Sequence, residues 1–309
     1  MNDNNEPEFE LDLVFDLEEG VKIESETKPI EHIVISGGGL TLFTYYGILK
    51  RSYEKNIWNI KNVKTIYGTS AGAILSVLLC LNYDWETLDN YIINRPWEKV
   101  FNIDMYLLFD IFQRKGLFDL SVIKEVFKPL FLGKDIDLNI TFQEFFNITN
   151  IELHLFITDL NEFETIDVCY KTHPDWKVID IVYSSAAVPV IFAPHIMEDK
   201  CLIDGGIFNN CPVQPCIDNG ANPENILSIY YDEHIHPKID NDGTLLDYII
   251  VLLNNLIKST NKEVFVETGV HYNAEFTNIS IETIFSLISN KEHRIELIEN
   301  GTEIVMATL

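Results

Sequence analysis

Apolar positions along the chain fall into short β-branched runs and longer helical stretches punctuated by glycine. Ile33-Val34-Ile35 is a strand-like run that ends in Gly37-Gly38-Gly39, and residues 41–55 then have the composition of a helix. Residues 63–67 form a second such run, which ends at Gly68 and is followed by residues 71–81, small and apolar enough for a buried helix. Strand, glycine turn and helix, twice over, predict a parallel α/β sheet. Residues 151–158, 163–169, 201–203 and 226–231 predict further strands. The aromatic-rich stretch 85–146 predicts helices, with 120–130 the clearest. Residues 176–187, 245–257 and 284–299 predict three more, the first stopped by Pro189. The expected class is α/β, with a mostly parallel central sheet flanked by helices.

Residues 1–28 stand apart. They carry ten acids against two lysines, while Phe9, Leu11, Leu13, Phe15 and Leu17 alternate only loosely. That charge predicts a disordered acidic tail, with residues 29–309 as one domain. The whole chain holds 48 Asp and Glu against 22 Lys and Arg, a net charge of −26. Such a surface repels phosphate backbones, so no nucleic-acid partner is expected. It also disfavours attachment to anionic membrane by charge alone.

The longest apolar run, residues 73–81, falls well short of the ~18–20 residues of a membrane span. The first residues lack a basic and apolar leader, so an intracellular protein is expected, cytoplasmic or peripheral to membranes. The five cysteines then read as reduced, buried thiols.

The strongest chemical signal is Gly68-Thr69-Ser70-Ala71-Gly72, a G-x-S-x-G pattern between a predicted strand and a predicted helix. A turn that sharp needs small residues beside the serine, and it lifts the hydroxyl clear of the sheet, near the positive end of the helix. Gly37-Gly38-Gly39 is a second turn whose unobstructed backbone N–H groups suit an oxyanion. A dinucleotide fingerprint would need glycine at position 42, where Leu42 stands.

A serine nucleophile needs a base. None of the eight histidines sits in a recognisable catalytic context, and the pair His234 and His236 reads as a polar loop rather than metal ligands. Asp204, at the end of a predicted strand and followed by Gly205-Gly206, is the better candidate.

In this order, Gly37-Gly38-Gly39, Gly68-Thr69-Ser70-Ala71-Gly72 and Asp204-Gly205-Gly206 resemble the motifs of the patatin-like phospholipases. Further stretches agree: Ser36 through Lys50, Ser184-Ser185-Ala186-Ala187-Val188-Pro189, Asn210-Cys211-Pro212 and Leu297-Ile298-Glu299-Asn300-Gly301. The resemblance covers roughly residues 30–309.

It implies a patatin-like three-layer fold and a lipid acyl hydrolase with a serine–aspartate dyad. Ser70 would be the nucleophile, Asp204 the general base and Gly37, Gly38 and Gly39 the oxyanion hole. Gly68 and Gly72 would shape the nucleophile elbow, and Gly205 and Gly206 the aspartate loop. It implies a lipid ester substrate, peripheral contact with a lipid surface, and neither metal nor other cofactor. One departure stands out: the family commonly has a basic residue and a glycine where this chain has Thr41 and Leu42. That motivates the alternative of a weak or inactive patatin-like module binding lipid or protein. A second alternative is a Ser–His–Asp triad using a late histidine, His234 or His271.

Overall fold

The computed structural model describes residues 28–102, 113–232, 239, 241–260 and 266–309. The predicted tail, apart from Lys28, lies outside the described residues.

The first glycine-punctuated unit forms β1 (His32–Ile35) and α1 (Leu42–Glu54), with a short 3-10 turn at Gly39–Thr41 between them. The second forms β2 (Thr65–Thr69) and α2 (Ala71–Cys80). The two strands pair in parallel, as expected of consecutive strand–turn–helix units. After α3 (Trp85–Asn94) come a short β3 (Gly116–Phe118), α4 (Leu120–Leu132) and α5 (Phe142–Thr149). Next are β4 (Glu152–Asp159), β5 (Glu164–Val168), α6 (Val178–Ser185), β6 (Val190–Phe192), β7 (His195–Met197) and β8 (Lys200–Asp204). The chain closes with α7 (Val213–Asp218), β9 (Ile226–Asp232), α8 (Leu245–Thr260), β10 (Val270–Glu275), α9 (Ile281–Ser289) and α10 (Lys291–Thr308).

The main sheet runs β10-β9-β1-β2-β4-β8-β7, with β5 paired to β4. Strands β10, β9, β1, β2 and β4 are mutually parallel, and β5, β8 and β7 add antiparallel pairs. Successive side chains of the central strands leave on opposite faces. Ile33, Ile35, Ile66 and Leu155 join the large core with Tyr45 and Ile48 of α1 and Leu75 of α2. Val34, Tyr67 and Phe156 face the other way, onto Cys216 of α7. Helices therefore cover both faces, and the expected α/β class with a mostly parallel sheet is the one observed. All five cysteines are free thiols.

Several elements depart from the sequence reading, which did not predict β6, β7 or α7. The stretch 284–299, expected as one helix, is two: Asn290 is extended at φ −116 and ψ 112, and its side chain accepts from the Glu292 N–H to cap α10. A local cap outweighs helical periodicity here. Strand β10 was not predicted. Among the described residues it pairs only with β9, and it alternates buried Tyr272 and Ala274 with exposed His271, Asn273 and Glu275, several of them poor strand formers. The aromatic-rich stretch, read as helical, contains β3, whose parallel partner β6 lies far along the chain.

Candidate active site

Ser70 follows the last residue of β2 and caps α2, with φ 53 and ψ −116. Positive φ is uncommon for a residue with a Cβ and marks a strained, over-determined turn. Its neighbours hold it there. A Cβ on Gly72 would collide with the Ile35 carbonyl of β1, and one on Gly68 would meet the Ser76 hydroxyl and the Gly72 carbonyl. Only glycine at both positions lets α2 start this close to the sheet. The Ser70 N–H donates to Ser185 Oγ at 2.9 Å, and that hydroxyl donates to the Phe156 carbonyl at 2.6 Å. Thr69 Oγ1 donates to the Asn209 carbonyl at 2.9 Å, tying the elbow to the loop that follows Asp204.

Strand pairing explains why Ser70 and Asp204 meet. β5 occupies one edge of β4 from Leu155 to Asp159, so β2 and β8 share the other edge. β2 ends with Thr69 opposite Phe156, and β8 arrives from the opposite direction with Asp204 opposite Ile157. Ser70 and Asp204 thus leave the ladder at adjoining positions. The Phe156 carbonyl sits in the gap: Ser185 satisfies it, and a Cβ on Gly205 would clash with it.

Asp204 is only 5% exposed. Its Oδ1 accepts from the Gly206 N–H at 2.7 Å, while Oδ2 is buried without a hydrogen-bond partner. Burial pushes its pKa up to about 6, against the smaller opposing pull of Ser70 and the Gly206 N–H. The Ser70 hydroxyl is thus near enough to favour the carboxylate.

The triple-glycine turn adjoins the serine: a Cβ on Gly37 would lie 3.4 Å from Ser70 Cβ. The Gly37 N–H donates to the Asn210 carbonyl at 2.8 Å, so this amide is already engaged. The amides of Gly38 and Gly39 have no protein acceptor among the described residues. Tyr45 holds the turn from behind, its hydroxyl 2.8 Å from Ser36 Oγ and 3.1 Å from the Gly37 carbonyl. Gly39 has φ +53. The departures from the family pattern fall outside this amide pair. Thr41 is buried and accepts from the Thr277 N–H at 2.9 Å, and Leu42 lines an apolar cavity.

That cavity, about 220 Å³, has Ser70 in its wall and runs beside Ile74 and Leu78 of α2, with Ile123 of α4 and Ile284 and Leu287 of α9 also lining it. A smaller cleft of about 50 Å³ holds Ser70, Asp204 and Gly37 to Gly39 beneath Ile250, Leu253, Asn254 and Ile257 of α8. Among the described residues, no histidine lines either space. His195 is hydrogen-bonded to Ser184, His271 stacks on Tyr230 in the outer strands, and His234 and His236 lie outside the described residues.

Nearer the amino ends of the strands, Glu152, His154 and Cys169 bring their ligand-type atoms within 4.8 Å of one another. Both His154 nitrogens are engaged, Nδ1 with Asp167 at 2.8 Å and Nε2 with Glu152 at 3.1 Å, and Lys171 reaches Glu152 at 2.7 Å. Burial alone would lower the His154 pKa, but its two carboxylate partners outweigh this and hold it near about 9. Two cations face two anions, which makes a closed ionic network.

Of the residues that sequence reasoning singled out, the fold brings Ser70, Asp204 and Gly37 to Gly39 into one cleft, while Gly68, Gly72 and Gly205 pack closely against neighbouring backbone. That reasoning assigned no role to Ser185 or Asn210, although both lie in stretches that carried the family resemblance. Their positions follow from the shared edge of β4, which no local pattern announces.

Residues 33–217 match the family model described as patatin-like phospholipase. A probable lipid hydrolase, 463L of Invertebrate iridescent virus 6, is 24% identical over 278 residues, spanning 88% of this chain and 86% of that protein. Protein R571 of Acanthamoeba polyphaga mimivirus, whose function is uncharacterised, is 24% identical over 234 residues, spanning 72% of this chain and 74% of its own length. In fold, the chain is similar to the crystal structure of VipD from Legionella pneumophila, with a TM-score of 0.53 at 16% identity. That match covers 91% of this chain and 66% of VipD, just under two thirds of it.

Proposed function

The chain belongs to the patatin-like phospholipase family, and on that premise we propose that it is a lipid acyl hydrolase working through a Ser70–Asp204 dyad. The observation that carries this reading is the location of Ser70: on a strained elbow, beside a buried carboxylate, in the wall of a hydrocarbon-lined cavity. Ionised Asp204 accepts the Ser70 proton as Oγ attacks the ester carbonyl. The free amides of Gly38 and Gly39 receive the oxyanion, a contribution of roughly 10²–10³ in rate per donor. Collapse of the tetrahedral intermediate expels the alcohol, which takes the proton from Asp204 and leaves an acyl group on Ser70. Asp204 then draws a proton from water as the water oxygen attacks the acyl group, and returns that proton to Ser70 Oγ as the fatty acid leaves. No histidine takes part.

A fluorophosphonate probe is expected to modify Ser70, identified by peptide mass spectrometry, and the protein to hydrolyse carboxylic esters across a lipid panel. A chain that neither reacts nor cleaves any ester of the panel is a binding module instead.

In this reading the apolar cavity takes the acyl chain. Ser70, Ile74 and Leu78 follow one face of α2, and Leu78 lies about 12 Å along the axis from Ser70. Leu78→Trp fills the deeper part of the cavity, so hydrolysis of long-chain esters is expected to drop by at least about tenfold while acetyl and butyryl esters are cleaved as before. Equal losses on short and long chains would show that the acyl group lies elsewhere.

A further inference from the structure

The exposed apolar side chains of this protein are not scattered evenly. Leu245, Tyr248, Leu252 and Leu256 form one stripe along α8, each between 45% and 68% exposed. The opposite face of the same helix roofs the cleft that holds Ser70 and Asp204. Phe285 is exposed on α9, the helix whose Ile284 and Leu287 wall the apolar cavity. Leu160 and Phe163 are exposed in the turn after β4, and the Phe163 ring packs on Phe208, just beyond Asp204. These elements stand around the carboxyl ends of the parallel strands, where Ser70 opens.

We propose that this carboxyl edge, centred on the outer face of α8, is a docking face for an electrically neutral lipid surface. The proposal rests on the lipid-hydrolase reading and names the surface through which that substrate would be drawn. Two observations choose the occupant. The helix that carries the exposed stripe sets its inner face over the cleft at Ser70, and Ile250 of that face packs with Phe118 and Ile191 of the cavity wall, so a lipid layer pressed on α8 lies one helix away from the serine. And α8 carries one acid, Asp247, and one base, Lys258, a charge-balanced patch on a chain of net charge −26. With Glu162 and Glu164 at the neighbouring turn, the face offers no cationic excess to anionic headgroups. Zwitterionic headgroups leave only the burial of apolar side chains at the interface, the mode of an in-plane amphipathic helix.

Flotation with vesicles of diether phosphatidylcholine, which an ester hydrolase cannot consume, measures docking on the full chain. The wild type is expected to bind. Tyr248→Glu combined with Leu252→Glu is expected to weaken binding about a hundredfold, about tenfold for each side chain kept in water. Leu256→Gln alone is expected to weaken it about tenfold. Thermal unfolding and hydrolysis of a water-soluble butyryl ester are expected to stay unchanged, while hydrolysis of vesicular diester phosphatidylcholine falls with binding.

No vesicle binding by the wild type, or binding that ignores all three substitutions, overturns the proposal. So does a mass by light scattering that halves on substitution without vesicle binding, which assigns the face to a second copy. Binding that emerges only after deletion of residues 1–28 assigns it to the chain's own tail and equally overturns it. Failure of the lipid-hydrolase reading is distinguished by the soluble ester, which the wild type would then leave intact whatever its binding to vesicles.

Discussion

Ser70→Ala is expected to lower ester hydrolysis by roughly 10⁴-fold or more and to leave thermal unfolding nearly unchanged. The rate falls because, among the described residues, no other serine, threonine or cysteine joins Asp204 and the free amides of Gly38 and Gly39 in the cleft. Stability holds because the interactions that shape the elbow belong to the backbone and to neighbours. The bond to Ser185 uses the Ser70 N–H, which alanine retains. The cost of φ 53 falls on alanine as it does on serine, since both carry a Cβ. Initial rates of the purified variant beside a melting curve test both halves, and substantial remaining hydrolysis would remove Ser70 from the mechanism.

Asp204→Asn is expected to be nearly as inactive, and the double variant little worse than either, because nucleophile and base act as one unit. The wild-type pH profile follows from the carboxyl's position. The proposed base works only when ionised, and burial holds its pKa at about 6, above the ~3.9 of an exposed aspartate. The rate on a soluble ester should therefore be low at pH 5, rise through about pH 6 and level off above.

Stability moves in the opposite direction. The folded protein holds this proton more tightly than the unfolded chain does. The carboxyl's contribution is thus fully present below pH ~3.9 and is lost as pH rises through about 6. The loss at neutral pH amounts to about 3 kcal/mol at most. Asparagine cannot ionise, so Asp204→Asn should raise the melting temperature at pH 8 and leave it nearly unchanged at pH 4. A variant that melts lower at pH 8 would show that the buried charge is stabilised by something other than its described neighbours. An acidic limb absent from the rate profile would count against Asp204 as base.

Much of the site was readable residue by residue because its shape is a local matter. A serine flanked by glycines between an apolar strand and an apolar helix has few conformations open to it, and the elbow at Ser70 adopts the sharp one. The turn at Gly38 and Gly39 follows for the same reason, and so does the parallel pairing of β1 with β2, which two strand–turn–helix units in succession favour. Where the reading missed, a local preference met a partner far along the chain. β10 is held by β9, not by its own alternation, and β3 exists only through β6. Asn290 broke a periodic helix because its side chain caps the next one.

Composition and spacing alone were enough for the sheet class and the glycine turns and marked Ser70 as the candidate nucleophile, while the pairing with Asp204 was what the family resemblance implied. Each of the first three depends on a few consecutive residues and on steric rules that hold in any context. That Ser70 and Asp204 adjoin depends instead on β2 and β8 sharing one edge of β4, a register set by strands more than a hundred residues apart. That Leu42 walls a cavity, that the Gly37 amide is engaged by Asn210, and that α8 roofs the cleft while showing an apolar stripe outward are likewise products of packing. Side chains from many elements converge there, and burial, which moves the Asp204 pKa, is a property of what surrounds a residue and not of the residue itself.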